Sequence, residues 1–167
     1  EPNFGCCTAN MGQGWSKFAA HLWRQSDGGG LVALIYAPCS ITTEMAGLPV
    51  GIEVQTDYPF GQTIHIVVKA AEPTRFPLQL HIPAWTEGAT VTVAGETRPA
   101  QAGDFHRLAR EWQGETEITL HLPMPLSIER RYHQSITIVR GPLVYALKVE
   151  EDWRLIGGEP PHGDWEV

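Results

Sequence analysis

From Leu31 onward the sequence consists of short apolar and β-branched runs that are separated by turn residues. Two of the clearest runs, Thr63 to Ala70 and Glu115 to Leu122, alternate between apolar and polar residues. A period of two places every second side chain on one face of a strand, so these runs predict half-buried strands. Such runs recur about every 10 to 15 residues without a helical period between them. The pattern predicts an all-β fold, namely an antiparallel β-sandwich of the jelly-roll-like kind.

One helical pattern precedes the strands. Between Thr8 and Gln25 the apolar residues recur at helical spacing, and the turn-forming stretch Ser26 to Gly30 follows. We therefore predict one helix over this range, followed by a linker. Because Trp15, Phe18 and Leu22 share one side of that helix, this side is expected to be buried. It would pack against the sandwich or against a helical domain outside this chain.

Length and charge limit the possible function classes. The 167 residues suffice for one well-buried domain with short appendages. A net charge of −7 and 12 basic residues argue against a nucleic-acid or anionic-membrane partner. The sequence contains no apolar run long enough to span a membrane. Three cysteines, an odd number, favour a reducing compartment or metal ligation, which predicts a cytoplasmic location and leaves export of a longer precursor open.

The adjacent residues Cys6 and Cys7 stand just before the helical pattern. The unpaired N–H groups at a helix N-terminus favour the thiolate, which is the form that attacks carbon and binds zinc. From spacing alone the pair is interpreted either as buried structure or as a reactive, zinc-binding site. Cys39, beside Pro38 at a predicted strand end, is predicted to be a small core residue.

Six motifs occur in the same order as in a known enzyme family. With them the chain resembles the bacterial β-L-arabinofuranosidases of glycoside hydrolase family 127 and its relative family 146. The motifs are Cys6-Cys7 with Asn10, the helix that ends at a Gly-rich linker, Tyr36-Ala37-Pro38, Thr56-Asp57-Tyr58-Pro59-Phe60, His81-Ile82-Pro83-Ala84-Trp85 and Arg140-Gly141-Pro142-Leu143-Val144-Tyr145.

The resemblance implies an (α/α)6 barrel followed by β-sandwich material, of which this chain covers only the C-terminal part. Residues 1–27 would be the last barrel helix with its thiol loop, 31–150 the sandwich and 151–167 an irregular tail. The upstream barrel would be the partner, arabinose-containing glycans the substrates of the parent protein, and a homodimer a further option. The resemblance does not imply a nucleic-acid or membrane partner.

The resemblance also implies roles for the thiols. Cys6 would be the catalytic nucleophile and a zinc ligand, and Cys7 a second zinc ligand. The remaining ligands and the acid/base glutamate would lie upstream of Glu1, so this chain alone is expected to be inactive and to bind zinc weakly or not at all. Thr8, Ala9 and Gln13 replace the two prolines and the arginine found in many family members. The sugar therefore stays open among β-L-arabinofuranosides and related plant-derived sugars.

Two alternative functions follow from the composition. Aromatic residues can stack on sugar rings, so the domain is alternatively a carbohydrate-binding module; the candidates are Trp85, Trp112, Trp153, Tyr58 and Phe60. Large aromatics in a small sandwich more often fill its core or an interface with a neighbouring domain. The second alternative is therefore a structural domain that supports the barrel and exposes an apolar patch in its absence.

Overall fold

The computed structural model describes residues 5–160 and 162–166. Within them it contains one α-helix, α1 (Gly5–Ala20), one 3-10 turn (Tyr132–Gln134) and thirteen strands. The strands are β1 (Trp23–Gln25), β2 (Leu31–Ala33), β3 (Cys39–Met45), β4 (Leu48–Thr56), β5 (Thr63–His81), β6 (Thr90–Val93), β7 (Glu96–Pro99), β8 (Phe105–His121), β9 (Leu126–Arg130), β10 (Ile136–Arg140), β11 (Leu143–Tyr145), β12 (Arg154–Gly157) and β13 (Asp164–Glu166).

The first eight strands form one sheet. Its order is β1-β2-β5-β8-β6-β7, while β4 also pairs with β5, and β3 pairs with β4. The prediction of an all-β, sandwich-like fold preceded by one helix is confirmed. One pair departs from the antiparallel pattern, because β2 runs parallel to β5 with Leu31 opposite Leu78. No helix in the described part of the chain is long and apolar enough to cross a membrane.

The long strand β5 pairs with different strands along its length. Its first part pairs with β4 and its last part with β2, while β8 accompanies it throughout. The pairing with β8 is irregular between Ala70 and Thr74. Buried side chains on both sides of this irregularity join one core. The sequence predicted a strand from Thr63 to Ala70, but the strand continues through Glu72-Pro73 as far as His81.

Trp112 occupies the centre of this core. Its side chain is fully buried, and its indole Nε1–H donates to the carbonyl oxygen of Phe76 at 2.9 Å. The two rings lie 5.6 Å apart between centroids, and the Arg110 guanidinium lies over the indole at 5.3 Å. A buried tryptophan needs such an acceptor for its polar N–H group. Trp112 is thereby fixed as a core residue.

The helix ends earlier than predicted. It stops at Ala20, and Trp23–Gln25 instead pairs with Leu31–Ala33 as a hairpin strand. Leu22 is 7% exposed, and its carbonyl oxygen accepts the N–H group of Leu34 at 2.9 Å. Leu22 therefore belongs to the sandwich side of the molecule and not to an exposed helix face. The predicted linker at 26–30 is the turn of this hairpin.

The strands β9, β10 and β11 form a separate antiparallel sheet, so the predicted sandwich range of 31–150 comprises two sheets. The register aligns one set of apolar side chains on a single face, namely Leu126, Ile128, Ile136, Ile138, Leu143 and Tyr145. Most of this face is exposed, with Ile128 at 66%. The predicted irregular tail contains a further hairpin, β12–β13.

Candidate functional site

The thiol pair lies inside the first turn of α1. The sequence predicted the thiols directly before the helix, but the helix begins at Gly5, so both Cys6 and Cys7 have helical backbone. The side chain of Cys6 is exposed to solvent. The side chain of Cys7 lies outside the described part of the structure.

The side chains of Asn10 and Gln13 form hydrogen bonds next to this turn. The Asn10 amide nitrogen donates to the carbonyl oxygen of Cys6 at 2.6 Å, and the Gln13 amide nitrogen donates to Asn10 Oδ1 at 3.0 Å. Asn10 is thus oriented by two hydrogen bonds next to the cysteine peptide. The sequence motif paired Cys6 with Asn10, and the structure shows their direct contact. Gln13, at the position of the family's arginine, holds Asn10 in place.

Two adjacent thiols agree in chemical type with a zinc site, because thiolate sulfur is a preferred zinc ligand. They supply half of the four ligands typical of a structural zinc site. Among residues 5–160 and 162–166, no group of three or more His, Cys, Asp or Glu side chains has a metal-binding arrangement. A zinc ion at Cys6 and Cys7 would therefore need ligands from outside the described residues.

Cys39 is part of the core periphery, as predicted. It is partly buried and packs against the main core cluster. Burial raises the pKa of its thiol, and a hydrogen bond with the Trp23 side chain acts in the opposite direction. A thiol that stays protonated is a poor nucleophile and a poor ligand. The histidines His65 and His121 are exposed and partly buried, respectively, on the sheet, as predicted.

The sequence motifs meet at one end of the sandwich. The Tyr36 hydroxyl donates to the carbonyl oxygen of His81 at 2.7 Å, and its ring lies edge-on to Tyr58 with centroids 6.1 Å apart. Burial raises the pKa of Tyr36 well above its usual range, so the hydroxyl remains a donor. The Arg140 guanidinium donates to the carbonyl oxygen of Phe60 at 3.1 Å. Four motifs that are distant in sequence are therefore connected by direct contacts.

These contacts indicate a structural role for the shared motifs. Their acceptors are backbone carbonyl groups, and the remaining contacts join rings to rings or to backbone. Gly141 has a φ of +56°, and a Cβ at this position would lie 3.2 Å from the ring of Trp85 and 2.9 Å from Met124. The glycine of the last motif therefore allows the tryptophan of the preceding motif to pack closely.

The candidate sugar-stacking aromatics separate into three groups by burial. Trp112 is fully buried in the core, so its predicted role in a sugar-binding face is wrong. Tyr58 and Trp85 are partly buried and pack against the core. Phe60 and Trp153 are largely exposed. Sequence position alone does not separate these groups, because all five residues occur beside turns or strand ends or in strands of mixed polarity.

Comparison with known proteins identifies the family to which the sandwich is similar. The family model described as "Beta-L-arabinofuranosidase, GH127 middle domain" matches residues 30–124. The chain is similar to the solved structure of Ara127N-Se, a GH127 β-L-arabinofuranosidase from Geobacillus stearothermophilus T6, with 28% identity and a TM-score of 0.75. That match covers 84% of this chain and 24% of the other, so the chain spans about a quarter of its length.

Two further solved structures share the fold. One is described as a glycoside hydrolase, with 22% identity and a TM-score of 0.75 over 84% of this chain and 25% of that chain. The other is a GH127 β-arabinofuranosidase, with 19% identity and a TM-score of 0.62 over 71% of this chain and 22% of that chain. No curated protein matches the sequence at a significant level.

Proposed function

The chain belongs to the GH127 β-L-arabinofuranosidase family through its middle domain, and from this premise we propose that it is the C-terminal part of a zinc-dependent retaining glycoside hydrolase. The proposed substrates of the parent protein are β-L-arabinofuranosides or related plant-derived sugars. The observation that carries the proposal is the position of the thiols. Cys6 is exposed in the first turn of α1, directly upstream of the matched domain, and its peptide is held by Asn10.

In the proposed mechanism the sulfur of Cys6, as thiolate, attacks the anomeric carbon of the sugar. The new C–S bond forms as the glycosidic C–O bond breaks, and the departing oxygen takes a proton from a carboxylic acid elsewhere in the parent protein. Water then attacks the same carbon and gives a proton to the carboxylate that lost one in the first step, while the C–S bond breaks and the sulfur leaves as thiolate. Two displacements at one carbon retain its configuration, as in retaining glycosidases with a carboxylate nucleophile.

Cys6 and Cys7 are the residues of this chain that would hold the zinc ion. When bound, zinc supplies the charge that keeps a sulfur deprotonated near neutral pH. The chain itself contributes the first turn of α1, which carries Cys6. Asn10 fixes the peptide that carries the nucleophile, because it bonds to the Cys6 carbonyl oxygen and is itself held by Gln13. Both contributions position the sulfur before the sugar binds.

This chain by itself is expected to be inactive. A retaining mechanism needs a proton donor in addition to the nucleophile, and two sulfurs do not complete a zinc site. We place the acid/base glutamate and the remaining ligands in the parent's upstream barrel, which would be the main partner of the sandwich.

The test uses the full-length polypeptide that contains this chain. Cys6→Ser is expected to lower hydrolysis of an aryl β-L-arabinofuranoside by at least about 1,000-fold, because a serine hydroxyl is a weak nucleophile without a dedicated base. Cys39→Ser is the matched control, since Cys39 packs at the core periphery and not near the helix. Zinc content is measured for each variant. If Cys6→Ser keeps activity within about 10-fold of the parent, the nucleophile assignment fails.

A specific observation also favours a supporting role for the sandwich. Trp15 on α1 is 67% exposed and Phe18 is 37% exposed, as predicted for a face that a neighbouring domain covers. Leu22, which was expected on the same patch, is instead buried. The apolar face of the β9–β11 sheet adds to this exposed area. We propose that contact with the rest of the parent protein covers these surfaces.

A further inference from the structure

A cleft of about 310 Å³ lies between the loop after β5 and the β9–β11 sheet. Trp85 and Glu87, in the loop after β5, form one wall, and Ser127 and Glu129 on β9 form the other. Ser127 lies directly opposite Val139 of β10, which also lines the cleft. The register places these residues on the face of the β9–β11 sheet opposite its exposed apolar face. The β9–β11 sheet therefore contributes two polar side chains, Ser127 and Glu129, and the apolar Val139 to the cleft.

A hydrogen bond connects the two walls of the cleft. Thr86, between Trp85 and Glu87, is fully buried, and its hydroxyl donates to the carbonyl oxygen of Pro123 at 3.0 Å. Its backbone N–H donates to the Pro83 carbonyl oxygen at 3.2 Å, which closes the turn. Because Pro123 lies three residues before β9, the loop is tied to the segment that leads into the opposite wall. A cleft held in this way is largely formed before a ligand arrives.

The floor of the cleft fixes the tryptophan. Gly141 lines the cleft and has a φ of +56°. A Cβ at Gly141 would lie 3.2 Å from Cζ3 of Trp85 and 2.9 Å from Cγ and Sδ of Met124. The absence of a side chain thus lets the indole pack against backbone, and the ring is restricted in its orientation. Trp85 is half-buried, so part of its surface remains accessible.

The chemistry of the lining selects a class of ligand. An indole provides an apolar surface for the C–H groups of a sugar ring, and two carboxylates and one hydroxyl accept hydrogen bonds from sugar hydroxyls. Glu129 also forms an ion pair with Arg131, which orients its carboxylate. Two carboxylates in one small cleft disfavour an anion such as a uronate or phosphate. The cleft volume is at the lower end of the usual range for ligand sites, which suits a single sugar unit.

We propose that this cleft is a binding site for one neutral pentose unit of the glycan on which the parent enzyme acts. The choice of a pentose rests on the proposed function, whereas the preference for a neutral polyhydroxylated ligand rests on the lining itself. The site lies between the loop after β5 and the β9–β11 sheet, and Cys6 does not line it. It holds the glycan and performs no chemistry.

The test is a titration of the chain with L-arabinose and with methyl β-L-arabinofuranoside, followed by NMR shifts of the tryptophan indole N–H signals. Galacturonate and inorganic phosphate are the comparison probes. We expect saturable shifts of the Trp85 signal with the two pentose probes and none with the anions. Trp85→Ala should remove binding, and Glu87→Gln, which is exposed and isosteric, should weaken it about 10-fold.

Trp153→Ala is the matched control, because Trp153 is exposed and lies outside the cleft. This variant should bind like the original chain. Cys6→Ser should also bind unchanged, so loss of hydrolysis in the parent and loss of binding here are separate results. The proposal is overturned if the pentoses cause no shift, if shifts persist in Trp85→Ala, or if Glu87→Gln binds as tightly as the original chain. Stronger binding of the anions would overturn it as well.

Discussion

Gly30 offers the sharpest test of the packing described above. It closes the β1–β2 turn, since its N–H donates to Ser26 Oγ at 3.0 Å and its carbonyl oxygen accepts the Ser26 N–H at 2.9 Å. A Cβ at Gly30 would lie 2.3 Å from the carbonyl oxygen of Pro77 and 2.6 Å from its Cγ. Both distances are too short for non-bonded atoms. Gly30→Ala therefore forces the turn away from β5.

The loss of stability in Gly30→Ala depends on which atoms must move to relieve the clash. Overpacking inside a folded core typically costs about 1–3 kcal/mol. The Pro77 oxygen is a backbone atom, and Leu31 and Leu78 start the parallel β2–β5 pairing beside it. Side-chain adjustment cannot relieve this contact, so we expect the upper value, about 3 kcal/mol of unfolding free energy. Gly28→Ala is the control, because a Cβ there has no neighbour within 4 Å. Its effect should stay within about 0.5 kcal/mol.

Urea unfolding monitored by tryptophan fluorescence measures the difference. With a slope of about 2 kcal/mol per molar urea, the midpoint of Gly30→Ala should fall by about 1.5 M, while that of Gly28→Ala stays close to the original. Equal slopes are needed for the comparison, since a changed slope indicates a changed unfolded state. If the two variants unfold at the same midpoint, the close approach of the turn to Pro77 is not as described.

Two further predictions concern charge and surface. Burial, together with the positive charge of Arg98, lowers the pKa of His106, so the unfolded chain binds the proton more readily. Its contribution to stability is complete above about pH 6.5 and is lost as the pH falls below that value. Urea midpoints at pH 7.5 and 5.5 should therefore differ less in His106→Gln than in the original, whereas the exposed-site control His65→Gln should keep the original difference. If Trp15 and Phe18 contact a neighbouring domain in the parent protein, the isolated chain should self-associate in sedimentation velocity as its concentration rises. Trp15→Ser should reduce this self-association. A strictly monomeric chain would contradict the supporting role.

The strands could be predicted from sequence wherever one face is buried. In β5 every second side chain from Ile64 to Leu80 is buried except Glu72, so the period of two is almost complete. The same exception concealed the continuity of the strand, because Glu72-Pro73 looks like a turn in a linear sequence. Backbone pairing with β8 resumes at Thr74 and carries the strand past this point. A local sequence pattern does not show which distant strand a segment pairs with, and here that pairing determines where the strand ends.

The end of the helix could not be predicted for a related reason. Leu22 and Trp23 fall at helical spacing. In the structure, however, Trp23 begins the strand that pairs with β2, and the Leu22 side chain is buried. The gain from burying Leu22 in the sandwich outweighs one further helical turn on an exposed helix.

Some of the candidate site residues could be identified from the sequence, and others could not. Cys6, Cys7 and Trp85 could be selected from the sequence because cysteine pairs and tryptophans are few and chemically distinctive. Glu87 and Glu129 could not, because exposed glutamates are common and their local sequence contains no signal. Only the packing of the β9–β11 sheet beside the loop after β5 brings these carboxylates to one cleft.

The pair of long strands has a consequence for how the domain folds. β5 and β8 pair from Thr63 opposite His121 to His81 opposite Phe105, with one irregularity between Ala70 and Thr74. Because β2, β4 and β6 each pair with one of these two strands, we expect the main sheet to open as one cooperative unit with one amide-exchange threshold. Because the partners at one end are far apart in sequence, closing this ladder is a slow, non-local step. A newly made chain would then complete its main sheet only once β8 is available.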